Sequence, residues 1–189
     1  SSAASDVYKR QGTPIHPMSP LSKIFWMKHE QPDIYQNTAM FADIKTYIFY
    51  QLYEAYVMDH SMASATGLFN LQQLDWDQEA LELLGISASQ LPQLVPTTHI
   101  LKGMKKRYAT LMGIDENTPV VVGASDGVLS NLGVNSYKKG EVAVTIGTSG
   151  AIRTVIDKPR TDYKGRIFCY VLDEEHYVCL LYTSDAADE

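Results

Sequence analysis

Two groups in this 189-residue chain could do chemistry together. Asp126 follows an apolar run, Val120 to Val122, and precedes a segment suited to a helix. Further on, a second apolar run ends at Gly147-Thr148-Ser149-Gly150. A carboxylate at a strand end can accept the proton of a hydroxyl. The backbone N–H groups of a glycine-rich turn can hold phosphate oxygens. The pair therefore points to phosphoryl transfer. Each member also has a plainer reading. Asp is a preferred helix N-cap, and Gly/Ser/Thr clusters commonly make hairpin turns.

The elements around these groups can be read from spacing. Gly12 to Pro20 is a loop rich in proline, and Ser19-Pro20 supplies an N-cap and a first-turn proline. The helix that follows, with Leu21, Ile24, Phe25 and Met27 as apolar residues, should stop before Pro32. Asp43 to Tyr53 reads as a second helix, with Ile44, Ile48 and Leu52 on one face. Val57 to Gly67 reads as extended or loop. Asp77 to Leu84 is a short helix stopped by Gly85. A single turn follows at Ser87–Leu91, then a helix over Lys105–Met112 ending at Gly113. From Pro119 the texture changes. Val120–Gly123 is a buried strand and Val128–Leu132 a helix. Lys138-Lys139-Gly140 is a turn, after which Glu141–Ile146, Ala151–Ile156 and Arg166–Leu172 read as three strands. The turn is the best internal boundary, between a mainly helical lobe and a β-rich start.

Composition bounds the class. The chain is 45% hydrophobic and 20% charged, enough to bury a core. A net charge of −6 argues against nucleic acid as the main partner. No apolar run reaches the roughly 18 residues of a membrane helix. No Cys/His cluster has metal-ligand spacing. Both ends, residues 1–11 and 179–189, resemble translated sequencing-adapter sequence and are expected to be non-native. Cys169 is then the one native cysteine, so no internal disulfide is expected, in keeping with a reducing cytoplasm.

Five segments in order resemble the FGGY carbohydrate kinases. Pro20-Leu-Ser-Lys-Ile-Phe-Trp-Met is similar to the family's P-x-x-K-φ-x-W-φ signature. Asp59-His-Ser-Met-Ala-Ser-Ala-Thr-Gly67 is similar to its T-D-Y-S-x-A-S-x-T segment. Leu74-Asp-Trp-Asp77 resembles the D-W that follows. Gly123-Ala-Ser-Asp126 resembles the G-x-x-D that carries the catalytic aspartate, and Thr145-Ile-Gly-Thr-Ser-Gly150 the second phosphate motif. Within the family, Gly12–Pro17 and the string from Gly123 to Gly133 are most similar to the bacterial branch acting on gluconate.

The resemblance implies an α/β fold of the actin-like ATPase (ribonuclease H-like) type. This chain would hold the later part of the first domain (12–137) and the first strands of the second (138–178). It implies Asp126 as general base and substrate contact. Gly147, Thr148, Ser149 and Gly150 would line the nucleotide phosphates, with Thr148 supplying a hydroxyl. Asp59 and His60 would lie on the sugar side, although His60 stands where the family carries tyrosine. Asp59 has turn or cap stabilisation as its plainer reading, and His60 that of a half-buried histidine. Lys23, Trp26 and Trp76 read as structural: a solvated charge and two core aromatics. His16, in its proline-rich loop, is a weaker substrate candidate. ATP and Mg²⁺ are the implied cofactors, with the metal arriving on the nucleotide. The implied partner is a sugar or sugar acid, gluconate first, with xylulose, glycerol or another polyol as alternatives. Homodimerisation of the full-length protein is a further expectation. A non-enzymatic actin-like nucleotide-binding protein is the competing class. The family's D-x-G-T-T phosphate loop, its W-x-D-x-R sugar-binding segment and its G-G adenosine pocket are not in the chain. The fragment alone is therefore expected to be inactive and to expose apolar surface.

Overall fold

The computed structural model describes residues 2–146, 150–162 and 164–183. In chain order the elements are α1 (Ser2–Gln11), α2 (Pro20–Glu30), α3 (Pro32–Gln36), α4 (Ile44–Tyr53), β1 (Val57–Asp59), α5 (His60–Ser64), β2 (Phe69–Asn70), β3 (Asp75–Trp76), α6 (Gln78–Leu84), β4 (Gln93–Val95), β5 (Ile100–Leu101), α7 (Lys106–Met112), β6 (Val120–Val121), α8 (Asp126–Gly133), β7 (Val142–Ile146), β8 (Gly150–Ile156), β9 (Ile167–Val171) and β10 (Tyr177–Thr183). A single 3₁₀ turn, Ala88–Gln90, lies between α6 and β4.

The helix caps follow the expected chemistry. Ser19 caps α2 through Ser22 N–H, with Pro20 in the first turn. Asp43 caps α4 through Thr46 N–H at 2.6 Å. Asp77 caps α6 through Ala80 N–H at 3.1 Å, and Gly85 ends that helix with φ +74°.

Residues up to Val121 form three small two-stranded pairings among the helices: β1 with β4 in parallel, β2 with β3 and β5 with β6 antiparallel. After Gly140 the chain builds one antiparallel sheet in the order β7-β8-β10-β9. The main core joins the two regions. Ile24, Met58, Phe69, Leu71, Trp76, Leu81 and Leu84 pack with Cys169, Val171 and Cys179. A second cluster, Ala124 and Val128 against Val155, Leu172 and Val178, seats α8 on the sheet. Apolar burial of this kind is the main driving force holding the two regions together.

Several expectations are corrected. On α4 the exposed face is the one carrying Ile44 (74% exposed) and Ile48 (48%). The buried face carries Thr46 and Phe49. Thr46 Oγ1 donates to Val57 O at 3.0 Å, and Phe49 packs with Val57, Val95, Leu101 and Val122. The helix is apolar on several sides, so spacing could not select the docked face. Val57 to Gly67 is a strand followed by a short helix rather than a loop, because Asp59 caps that helix. Trp26 is 56% exposed rather than in the core, since Ile24 supplies the inward face of α2. Trp76 is buried and Lys23 exposed, as read from sequence.

The terminal segments enter the structure. In α1, Tyr8 Oη donates to Ile167 O at 2.7 Å, and Arg10 pairs with Asp77 at 3.0 Å. Strand β10 runs through residues 179–183. Cys179 lies opposite Cys169 in register, with both thiols free and their sulfurs 3.4 Å apart. Gly12 follows α1 at φ +66°. A Cβ there would overlap Leu71 Cδ1, so a side chain is excluded on both grounds.

Candidate active site

Two strand-to-helix junctions converge. At the first, β1 delivers Asp59 to the N-terminus of α5, and His60 begins the helix. At the second, the chain leaves β6 through Val122 and Gly123 and enters α8 at Asp126, with Ser125 as N-cap residue. A serine pair stitches them. Ser125 N–H donates to Ser61 Oγ at 3.2 Å, and Ser61 Oγ donates to Ser125 Oγ at 3.2 Å. Both serines are buried. The stitch thus joins the residue after His60 to the residue before Asp126. Thr97 ties the second junction to the sheet: Gly123 N–H donates to Thr97 O at 3.0 Å, and Thr97 Oγ1 donates to Leu172 O at 2.7 Å.

The two aspartates differ in surroundings. Asp59 is fully buried. One oxygen accepts from Met62 N–H at 2.9 Å and the other lies 2.5 Å from Lys45 Nζ. Asp126 is exposed. Among the described residues its one hydrogen bond is from the adjacent Gly127 N–H at 2.7 Å. That leaves its other oxygen open to solvent or to a substrate hydroxyl.

His60 is half-buried and packs against Phe69, ring centroids 5.6 Å apart. Burial pushes its imidazole below the ordinary value, opposed by the charges of Asp59, Asp75 and Glu174. It lines a cavity of about 300 Å³ with Thr97, Thr98, Asp173 and His176. His16 lies exposed in its loop and lines a different cavity, with Phe168 and Tyr170.

Of the glycine-turn residues, Gly147, Thr148 and Ser149 lie outside the described residues. Gly150 opens β8 opposite Ile146, so the ends of the turn are cross-strand partners. Two residues near the start of α8 were not singled out from sequence. Arg153 on β8 reaches α8, its guanidinium 3.4–3.5 Å from where a Cβ on Gly127 would stand. Burial pushes the Tyr170 phenol up to about 12, with Arg153 lowering it and Asp126 raising it. A signal for Arg153 did exist: it occupies the inward phase of a strand whose neighbours in phase are Ala151 and Val155.

Comparison with known proteins matches residues 1–133 to the N-terminal domain of the FGGY family of carbohydrate kinases. Gluconokinase of Bacillus subtilis is 61% identical over 173 residues, 92% of this chain and 34% of that protein. Among solved structures, gluconate kinase from Lactobacillus acidophilus superposes with TM-score 0.90 at 40% identity, covering 94% of this chain and 36% of that one. Plasmodium falciparum glycerol kinase with ADP gives TM-score 0.86 at 20% identity, over 97% and 38% of the two chains, and so shares the fold. The chain belongs to the FGGY carbohydrate kinases and carries part of their actin-like ATPase fold. It spans about a third of the length of these relatives.

Proposed function

We propose that this chain is the segment of an ATP-dependent sugar kinase that carries the catalytic base, and that the acceptor is gluconate, giving 6-phosphogluconate. The observation that carries the reading is the exposed Asp126 carboxylate, held on a helix N-terminus bonded directly to the junction bearing His60. The 61% identity to a gluconokinase supports the acceptor over xylulose or glycerol.

In the proposed reaction a primary hydroxyl oxygen of the acceptor attacks the γ-phosphorus of ATP. The bond from that phosphorus to the β–γ bridging oxygen breaks, and ADP leaves with the electron pair. The hydroxyl proton passes to Asp126. Gly147, Thr148, Ser149 and Gly150 line the γ-phosphate, and His60 faces the acceptor. Asp59 contributes by capping α5 and so placing His60. No described group of three or more His, Cys, Asp or Glu side chains is arranged to hold a metal ion. Mg²⁺ in this reading arrives on the ATP phosphates. No described helix is long and apolar enough to cross a membrane. We place the reaction in the cytoplasm, in a full-length enzyme that dimerises. Residues 12–137 would belong to the first kinase domain and 138–178 to the second, with 1–11 and 179–189 non-native.

The test is a coupled ATPase assay on a full-length kinase carrying this segment, against gluconate, xylulose and glycerol. Gluconate should give the highest kcat/KM, and the 189-residue chain alone should give no acceptor-dependent turnover. Preference for a neutral polyol would replace the acceptor. Turnover by the short chain would remove the need for the missing phosphate loop.

A further inference from the structure

Arg153 lies on the same face of the β7–β8 hairpin as Ala143, Thr145, Ala151 and Val155, by cross-strand register. That face turns toward α8, where Val155 meets Val128. Its Nη1 donates to Thr145 Oγ1 at 3.0 Å. Its Nε is buried and has no hydrogen-bond partner. Among the described residues no carboxylate lies within ion-pair distance of it, although Asp126 is next to Gly127, against which the guanidinium packs.

A guanidinium is charged at every accessible pH and offers five donors in a planar fork. Leaving one of them buried and unmet is costly, more so on a charged group. The fork therefore stands ready for an oxyanion. A Cβ on Gly127 would stand in van der Waals contact with Nε and Nη2, at 3.4 and 3.5 Å, so the guanidinium lies against the first turn of α8. Arg153 is also three residues beyond Gly150, the last residue of the glycine turn.

We propose that Arg153 binds an oxyanion of the reacting pair, either the carboxylate of a sugar-acid acceptor or an oxygen of the transferring phosphoryl group. The inference deepens the kinase reading and rests on it. The two sources share their chemistry, because a carboxylate and a phosphoryl group both present oxygens that the fork can bind in pairs. They differ in kinetics. A ground-state carboxylate contact is lost as KM for the acid, whereas a contact to the phosphoryl group in flight is lost as kcat for every acceptor.

The experiment compares wild type, Arg153→Met and Arg153→Lys in the full-length kinase, with thermal midpoints to verify folding. The steady-state arm measures kcat and KM. The binding arm measures affinity for gluconate, for its neutral counterpart glucitol and for inorganic phosphate. A carboxylate contact predicts a ten-fold or larger rise in gluconate KM and Kd for Arg153→Met, with glucitol binding unchanged. A phosphoryl contact predicts a ten-fold or larger fall in kcat for all acceptors and weaker phosphate binding. Arg153→Lys should recover part of either loss. Unchanged kinetics and binding in a folded Arg153→Met enzyme would overturn the proposal. So would an effect confined to a shifted acid limb of the kcat–pH profile, which would mean that Arg153 acts only through Asp126. If wild type fails on gluconate while Arg153→Met still weakens phosphate binding, the acceptor assignment falls and the oxyanion site stands.

Discussion

Asp59 and Asp126 occupy closely similar local settings, each at a strand-to-helix transition in a short polar sequence. Asp59 spends both oxygens on the protein: one on the Met62 N–H, one on Lys45. Asp126 leaves the capping position to Ser125 and, among the described residues, bonds only its own neighbour. A carboxylate that is enclosed and paired holds structure, while one that faces outward without a cationic partner keeps its lone pairs for chemistry. The same residue type in the same kind of turn can thus serve either end, and the neighbours decide which. Ser61 and Ser125 join the two junctions, so the enclosed aspartate helps to place the open one.

The sharpest way to break this contrast is Asp126→Asn in the full-length kinase. The amide keeps the shape and removes the base. Turnover should fall by about 10²–10⁴-fold, the usual range for a lost general base. ATP affinity, read by equilibrium titration, should stay near wild type. Turnover within a few fold of wild type would take the base assignment from Asp126.

Stability should show the reverse ranking. Asp59→Ala removes a helix cap, about 1 kcal/mol, and leaves Lys45 without its partner in a largely enclosed site. Urea unfolding should report a loss of about 2 kcal/mol. Asp126→Ala, exposed and with only a bond to its own neighbour, should stay within about 0.5 kcal/mol. Equal losses in the two variants would erase the distinction drawn between the junctions.

The smallest effect concerns His60. Its folded-state value lies below the ordinary 6.5 because burial disfavours the imidazolium. Above that value both folded and unfolded chains carry a neutral ring, and the group adds no pH dependence. As pH falls through 6.5 the unfolded chain takes up the proton first, and stability declines. The urea midpoint of wild type should therefore drop on acidification below 6.5 more than that of His60→Gln. Parallel profiles would show that His60 stays as easily protonated in the fold as out of it.

Much of this arrangement was legible in the residues themselves. Ser19-Pro20, Asp77 with Gly85, and Gly113 mark helix ends through local backbone chemistry, which needs no distant partner. Alternation carried β8, and the Gly123–Asp126 and Thr145–Gly150 strings carried the family. What resisted reading depended on contacts between segments far apart in the chain. The docked face of α4 was chosen by Val57, Val95 and Val122. The exposure of Trp26 followed from Ile24 occupying the inward side of α2.

The sequence by itself settled that a carboxylate would sit where a strand gives way to a helix, because that outcome rests on interactions a few residues long. Only the tertiary structure decided that Asp59 would be enclosed and paired with Lys45 while Asp126 stayed exposed. Burial and the pairing of charge are set by neighbours brought from elsewhere in the chain, and no local pattern encodes them.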